Sequence, residues 1–229
     1  NFFKQRIGKY YTRDSEVVYP PVDILRFKPT THYPLPTTYF LMVGRLVAYK
    51  RFDLGIKAFS KLGLPLKIVG IGPEIKKLRA YSLKLRANNI EFLGSVSDDR
   101  LAELYSNAQA LIFPQEEDFG IVPLESMASG RPVIAFKGGG AAETVIENKT
   151  GLFFDEQTPK ALINAVEKFQ SLKFNPEECR KQAERFDVQI FKNNILNKIQ
   201  ELGLIVNFRP RYITSKRILN SEHSDKFVD

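Results

Sequence analysis

From Tyr39 onward, short β-branched and aliphatic runs alternate with stretches whose apolar positions recur every three to four residues. Tyr39 to Val43, Leu66 to Val69, Ile90 to Leu93, Ala110 to Phe113, Pro132 to Phe136 and Gly151 to Phe154 predict strands. Between them Phe52, Ile56, Phe59 and Leu62, then Ile75, Leu78 and Leu85, then Leu101, Leu104, Tyr105 and Ala108 fall at helical spacing. Successive strand–helix–strand units with short connections imply right-handed crossovers and a parallel sheet covered on both faces. The pattern predicts an α/β, Rossmann-like doubly wound parallel sheet.

The flanks read differently. Lys4 to Tyr11 predicts a helix and Glu16 to Tyr19 an extra strand, with Pro20-Pro21 forcing an extended connection after it. After Thr158 the pattern is helical to about Leu204. Leu162, Ala165, Val166 and Phe169 share one face, and Phe191, Ile195, Ile199 and Leu202 share a later one that needs something to cover it. The expected organisation is a leading helix in 1–14, the sheet domain in 15–172, carboxyl-terminal helices in 173–206 and a polar tail in 207–229.

Composition narrows the class. One cysteine, Cys179, excludes an intramolecular disulfide and a four-cysteine zinc site, which favours a reducing cytosol. No apolar run approaches the roughly 20 residues that cross a bilayer. The first residues, from Asn1, lack the pattern of a signal peptide, and the chain is expected to be part of a longer protein. Lys and Arg total 34 against 26 acids, a net charge of +8. Much of that surplus sits at the ends, in Lys4, Arg6, Lys9 and Arg13 and again beyond Asn207, and no aromatic-interleaved basic stripe points to nucleic acid. His32 and His223 fall in a Pro-rich connection and in the tail and receive no catalytic role.

In an open parallel sheet, ligands bind beyond the carboxyl ends of the strands. That edge holds Gly44-Arg45 through Lys50-Arg51, Gly70-Ile71-Gly72-Pro73, Gly94-Ser95-Val96, the run from Gln115 to Gly120, and Lys137-Gly138-Gly139-Gly140. The opposite edge holds ordinary turns. Arg45 and Lys50 bracket a strand-to-helix loop, where cations and a helix amino terminus together stabilise anionic oxygens such as those of a diphosphate. Pro123 belongs in a first helical turn, so a helix starts near Gly120, with Glu117 on the loop before it and Glu125 about one turn inside. Both carboxylates can then face one cleft, where they would accept hydrogen bonds from sugar hydroxyls. Gly70-Ile71-Gly72 lacks the third glycine of a dinucleotide fingerprint, which argues against a dehydrogenase.

In combination these residues resemble a known family. Gly44-Arg45-Leu46 with Lys50, Gly70-Ile71-Gly72-Pro73, Phe92-Leu93-Gly94, the Glu117 and Glu125 pair around Phe119-Gly120 and Pro123-Leu124, Ser129 to Ile134, and Gly139-Gly140 before Glu143 are similar to the retaining nucleotide-sugar glycosyltransferases of family 4, or group 1, with the GT-B fold. The similarity covers roughly Ser15 to Gln170. It implies the carboxyl-terminal, donor-binding half of a two-domain enzyme, with Asn1 to Tyr11 as the last helix of an acceptor domain otherwise outside the chain.

Carried over by position, the resemblance makes Arg45 and Lys50 the diphosphate cations, Glu117 the donor-sugar contact and Glu125 the ribose contact. Backbone N–H groups of Phe119, Gly120, Ile121 and Val122 would meet sugar and phosphate. Gly44 and Gly72 would let the chain pass close to the donor, and Gly94, Ser95 and Val96 would lie near the base. No metal and no cofactor is implied, and Glu116-Glu117-Asp118 is not expected to hold an ion. Arg51 stands where a glycine is common in the family and could add a phosphate contact. The Gly44 to Asp53 stretch is most similar to mannosyltransferases, which favours GDP-mannose, while a UDP sugar fits the same contacts. The acceptor would be a glycan or a polyprenyl-linked sugar, with the enzyme cytoplasmic, at the inner membrane face for a lipid acceptor. Two competing readings are a non-catalytic nucleotide-sugar-binding module and a glycoside hydrolase using Glu117 and Glu125 as acid and base.

Overall fold

The computed structural model describes residues 2–29 and 39–203. His32, His223 and the tail from Asn207 lie outside them. The described residues form a six-stranded parallel sheet of order β3-β2-β1-β4-β5-β6. Its strands are β1 (Tyr39–Val43), β2 (Leu66–Val69), β3 (Ile90–Gly94), β4 (Ala108–Phe113), β5 (Val133–Phe136) and β6 (Gly151–Phe154). The doubly wound sheet predicted from the sequence is therefore present.

Strand alternation sorts the core into two layers. Phe40, Met42, Ile68, Ile112 and Ile134 pack with helices α2 (Phe52–Leu62), α3 (Ile75–Lys84) and α7 (Pro159–Gln170) on one face. Tyr39, Leu41, Leu111, Phe113, Val133 and Ala135 pack with α4 (Asp98–Ser106), α5 (Ile121–Ala128) and α8 (Pro176–Glu184) on the other. Side chains set several helix starts: Ser97 accepts from Arg100 N–H for α4, Thr158 from Ala161 N–H for α7 and Asn175 from Glu177 N–H for α8. Short helix α6 (Ala141–Thr144) follows β5.

Before the sheet, α1 (Phe2–Tyr11) takes the place of the predicted leading helix. The predicted strand at Glu16 to Tyr19 is not formed. That segment has no ladder partner; Pro20 and Pro21 supply no N–H, and backbone pairing begins only at Val22, which donates to the Phe186 carbonyl at 2.9 Å and bridges Asp187. What fixes the segment is side-chain packing, with the Tyr19 ring stacked on Phe119 at 5.4 Å and edge-on to Phe186 at 5.5 Å.

The chain divides into two compact units, 1–195 and 196–229. Helix α9 (Val188–Glu201) carries no buried residue. In its first half Phe191 and Ile195 are half-buried and Ile190 is exposed. Of the second unit, the described part is the end of α9 and the turn at Gly203. Among the described residues no helix is long and apolar enough to cross a membrane.

Candidate functional site

Strand order reverses between β1 and β4, which are direct neighbours. The chain leaving β1 enters α2 on one face and the chain leaving β4 enters α5 on the other, so a crevice opens between the two loops. Lys50 stands on the first loop and Glu117 on the second. They meet there as an ion pair, with side chains only 13% and 15% exposed.

Gly44 begins the first loop. The Lys50 side chain passes over it, with Cδ, Cε and Nζ 3.7–3.8 Å from where a Cβ would stand. Lys50 ends a 3-10 turn of Ala48–Lys50, and Arg51 follows at φ 53°, the left-handed conformation a glycine adopts without strain. The loop thus keeps the shape expected of glycine, but the Arg51 guanidinium lies by Asp53 (3.3 Å) and Gln157 (3.4 Å). Arg45 is exposed.

The neighbouring loops interlock through missing side chains. A Cβ on Gly70 would stand 1.8 Å from the Gly44 carbonyl oxygen, and one on Gly72 would strike the Leu46 backbone at 2.4–2.7 Å. On the other side, a Cβ on Gly139 would stand 2.1 Å from the Glu117 carbonyl oxygen and one on Gly140 2.2 Å from Phe119 Cα, and Gly140 N–H donates to the Glu117 carbonyl at 2.7 Å. Gly94 differs: at φ 69° nothing lies within 4 Å of its Cβ position, while its carbonyl accepts from Gly70 N–H at 2.8 Å. Ser95 is exposed and Val96 packs under the sheet core.

Gly120, at φ 80°, caps α5 and, as a glycine, brings no side-chain cap to that helix. Ile121 is exposed and Val122 half-buried in its first turn. Phe119 turns its ring to Tyr19 and Phe186, leaving its backbone as the part that faces the crevice.

Glu125, one turn further, does not share the Lys50 pairing. The hydroxyl of the buried Tyr105 donates to its Oε2 at 2.7 Å. Burial pushes the Glu125 carboxyl above its ordinary value, opposed by the Tyr105 bond and the charge of Arg26. Burial also drives the Tyr105 phenol well above its ordinary value, with Glu125 adding to it. The two carboxylates have separate partners and occupy separate stations along the edge.

Helix α1 lies over the Glu117 loop. Arg6 donates to Asp118 at 2.6 Å, and a cleft of about 480 Å³ is lined by Phe2, Arg6, Tyr49 and residues 116–120. Among the described residues no three His, Cys, Asp or Glu side chains group to hold a metal ion. Tyr49, Tyr105, Arg26 and Arg6 are site neighbours that sequence reasoning did not assign. Tyr105 had been read as core, and no local spacing links it to Glu125.

The comparisons with known proteins follow the same outline. Residues 26–186 match the family described as "Glycosyl transferases group 1". The chain is 36% identical over 142 residues to an uncharacterized glycosyltransferase of Methanocaldococcus jannaschii, covering 62% of this chain and 39% of that protein. It is 35% identical over 176 residues to a GDP-mannose-dependent alpha-(1-6)-phosphatidylinositol monomannoside mannosyltransferase of Mycobacterium tuberculosis, covering 66% and 45%. The chain therefore spans less than half the length of these relatives. A glycosyltransferase structure from Rickettsia africae superposes with a TM-score of 0.79 at 23% identity, over 88% of this chain and 62% of that one, and shares its fold. Sheet order, switch-point loops and family match converge on one assignment: the chain belongs to the group 1 glycosyltransferases.

Proposed function

We propose that the chain is the donor-binding, carboxyl-terminal half of a retaining hexosyltransferase that takes a nucleoside diphosphate sugar and delivers the hexose to a glycan or lipid-linked acceptor. The observation that carries this reading is the meeting of Lys50 and Glu117 at the switch point. A cation and a carboxylate in one half-buried crevice suit a ligand that is anionic at one end and hydroxylated at the other. When the donor enters, its diphosphate takes Lys50 from Glu117, and Arg45 joins from the same loop. Both cations then stabilise the charge that grows on the leaving phosphate as the glycosidic bond breaks. Glu117, released, accepts from a sugar hydroxyl. The uncapped N–H groups of α5 meet sugar and phosphate, Glu125 accepts from ribose hydroxyls, and Gly94 to Val96 border the base.

The similarity to a GDP-mannose-dependent relative supports mannose and guanine. A UDP sugar fits the same contacts. No metal is required in this scheme, because two cations serve the diphosphate. Hydrolysis by Glu117 and Glu125 as an acid–base pair is disfavoured by their separate partners.

Calorimetric titration with GDP, UDP and their hexose conjugates, with and without EDTA, tests the reading. One nucleotide and its conjugate are expected to bind independently of metal, with both weakened about tenfold or more in Lys50→Ala and Glu125→Ala. Unchanged affinity in both variants, or cleavage of a nitrophenyl glycoside without nucleotide, overturns it.

A further inference from the structure

Arg26 lies outside the sheet, on a segment whose backbone is fixed from several sides. Asp23 accepts from Leu25 and Arg26 N–H groups at 3.0 and 3.1 Å. The Arg180 guanidinium of α8 donates to the carbonyls of Ile24 and Ala128, both at 2.7 Å, and to that of Phe27. Phe27 is buried, edge-on to the Tyr105 ring at 5.6 Å. From this anchored position the Arg26 side chain stacks over Phe27, with its guanidinium carbon 5.2 Å from the ring centroid, and forms an ion pair with Asp98 at the start of α4. Its Nε is enclosed without a hydrogen-bond partner. Through Phe27 this cluster joins Tyr105, whose hydroxyl bonds Glu125.

A carboxylate drawn out of water reverts to the neutral acid unless donors and cations compensate, and a neutral acid is a poorer acceptor for hydroxyls. Glu125 accepts from Tyr105 of α4, the Tyr105 ring meets Phe27 beneath the Arg26 guanidinium, and Arg26 pairs with Asp98 at the start of α4. From α8, Arg180 reaches the Ala128 carbonyl on the same helix as Glu125. Tyr105 and Arg26 favour the charged form, while burial and Asp98 oppose it.

We propose that Arg26 is a positioning residue of the nucleoside subsite: held on Phe27 and Asp98, its guanidinium is the counter-charge that keeps Glu125 an acceptor for ribose hydroxyls. The inference deepens the donor-site reading and rests on Glu125 as the ribose contact. Arg26 touches no reacting atom and acts through Glu125. Asp98, shared with Arg26, sets how much of that charge Glu125 receives.

Arg26→Gln, Arg26→Lys and Asp98→Asn are compared in two ways. NMR titration of the Glu125 carboxyl, assigned by its disappearance in Glu125→Gln, reads the charge state in the chain without ligand. Calorimetry with GDP and UDP at pH 6 and pH 8.5 reads the consequence for binding. The Glu125 midpoint is expected to rise in Arg26→Gln, to stay near the wild-type value in Arg26→Lys and to fall in Asp98→Asn. Arg26→Gln is expected to lose a few-fold more nucleotide affinity at pH 6 than at pH 8.5. An unmoved midpoint in Arg26→Gln, or an equal loss at both pH values, overturns the proposal; the second is what a merely structural arginine would give. Asp98→Asn, at an exposed carboxylate, keeps the test alive should an Arg26 variant not fold: no fall in its midpoint counts equally against the coupling. Failure of the underlying reading is separate, since wild-type nucleotide affinity in Glu125→Gln removes Glu125 from donor recognition whatever the midpoints do.

Discussion

Lys50 and Glu117 neutralise each other across the gap between β1 and β4. In the proposed scheme an entering diphosphate takes the place of the Glu117 carboxylate at Lys50. Glu117→Gln is expected to raise affinity for free GDP or UDP by about threefold, because Lys50 is no longer shared, and to lower affinity for the sugar conjugate by about tenfold. Calorimetry with both ligands gives the two numbers. Parallel changes for nucleotide and conjugate would show that Glu117 does not discriminate the sugar.

Two glycines at the edge are expected to respond differently to alanine. Gly139→Ala drives a Cβ into the Glu117 carbonyl at φ 58° and is expected to cost about 2–4 kcal/mol of stability, while Gly94→Ala, at φ 69° but in open space, costs about 1 kcal/mol. Urea unfolding midpoints separate them. Similar losses at both positions would remove the close approach as the cause.

Arg180 serves three carbonyls that belong to two parts of the fold. Arg180→Ala strands them and is expected to cost about 3 kcal/mol. Hydrogen exchange should quicken at residues 22–27 more than in the sheet. Uniform quickening would mean that the clamp is global rather than local.

Alkali is expected to weaken the fold from about pH 9. Burial pushes the Cys179 thiol up to about 12 and the Tyr39 phenol up to about 12. Both are neutral in the folded state where the unfolded chain already ionises. Their stabilisation is complete below the unfolded values and is lost as pH rises through the folded ones. Cys179→Ala should delay the onset of the Tm decline, and Tyr39→Phe, which also gives up a 2.9 Å bond to the Leu104 carbonyl, should make the slope between pH 10 and 12 shallower. A Tm profile unchanged by both substitutions would count against the assignment.

The sheet was legible because each strand is a short apolar run closed by a turn, and its errors are local. Strand β5 starts at Val133 rather than Pro132, since proline has no N–H for the ladder and only its carbonyl pairs, with Leu111. Strand β4 starts two residues earlier than predicted, at Ala108. The Glu16 to Tyr19 strand failed because β-propensity says nothing about whether a partner edge is near. In the site, topology put Lys50 and Glu117 on the same sheet edge, but their pairing was not legible, because the sequence pattern groups Lys50 with Arg45 and Glu117 with Glu125. The partners Tyr105, Arg26 and Arg180 were not legible either, because they reach the site from distant segments and their spacing in sequence encodes nothing.

Gly70, Gly72, Gly139 and Gly140 each leave room that a neighbouring backbone fills. At these four positions main chain is laid on main chain, so a side chain added at any of them displaces the neighbouring loop. Side chains such as Arg45, Tyr49, Ile71 and Ser95 stand exposed on the same edge and can vary without that displacement. An architecture of this kind lets side chains drift at its margin while the backbone beneath them stays frozen.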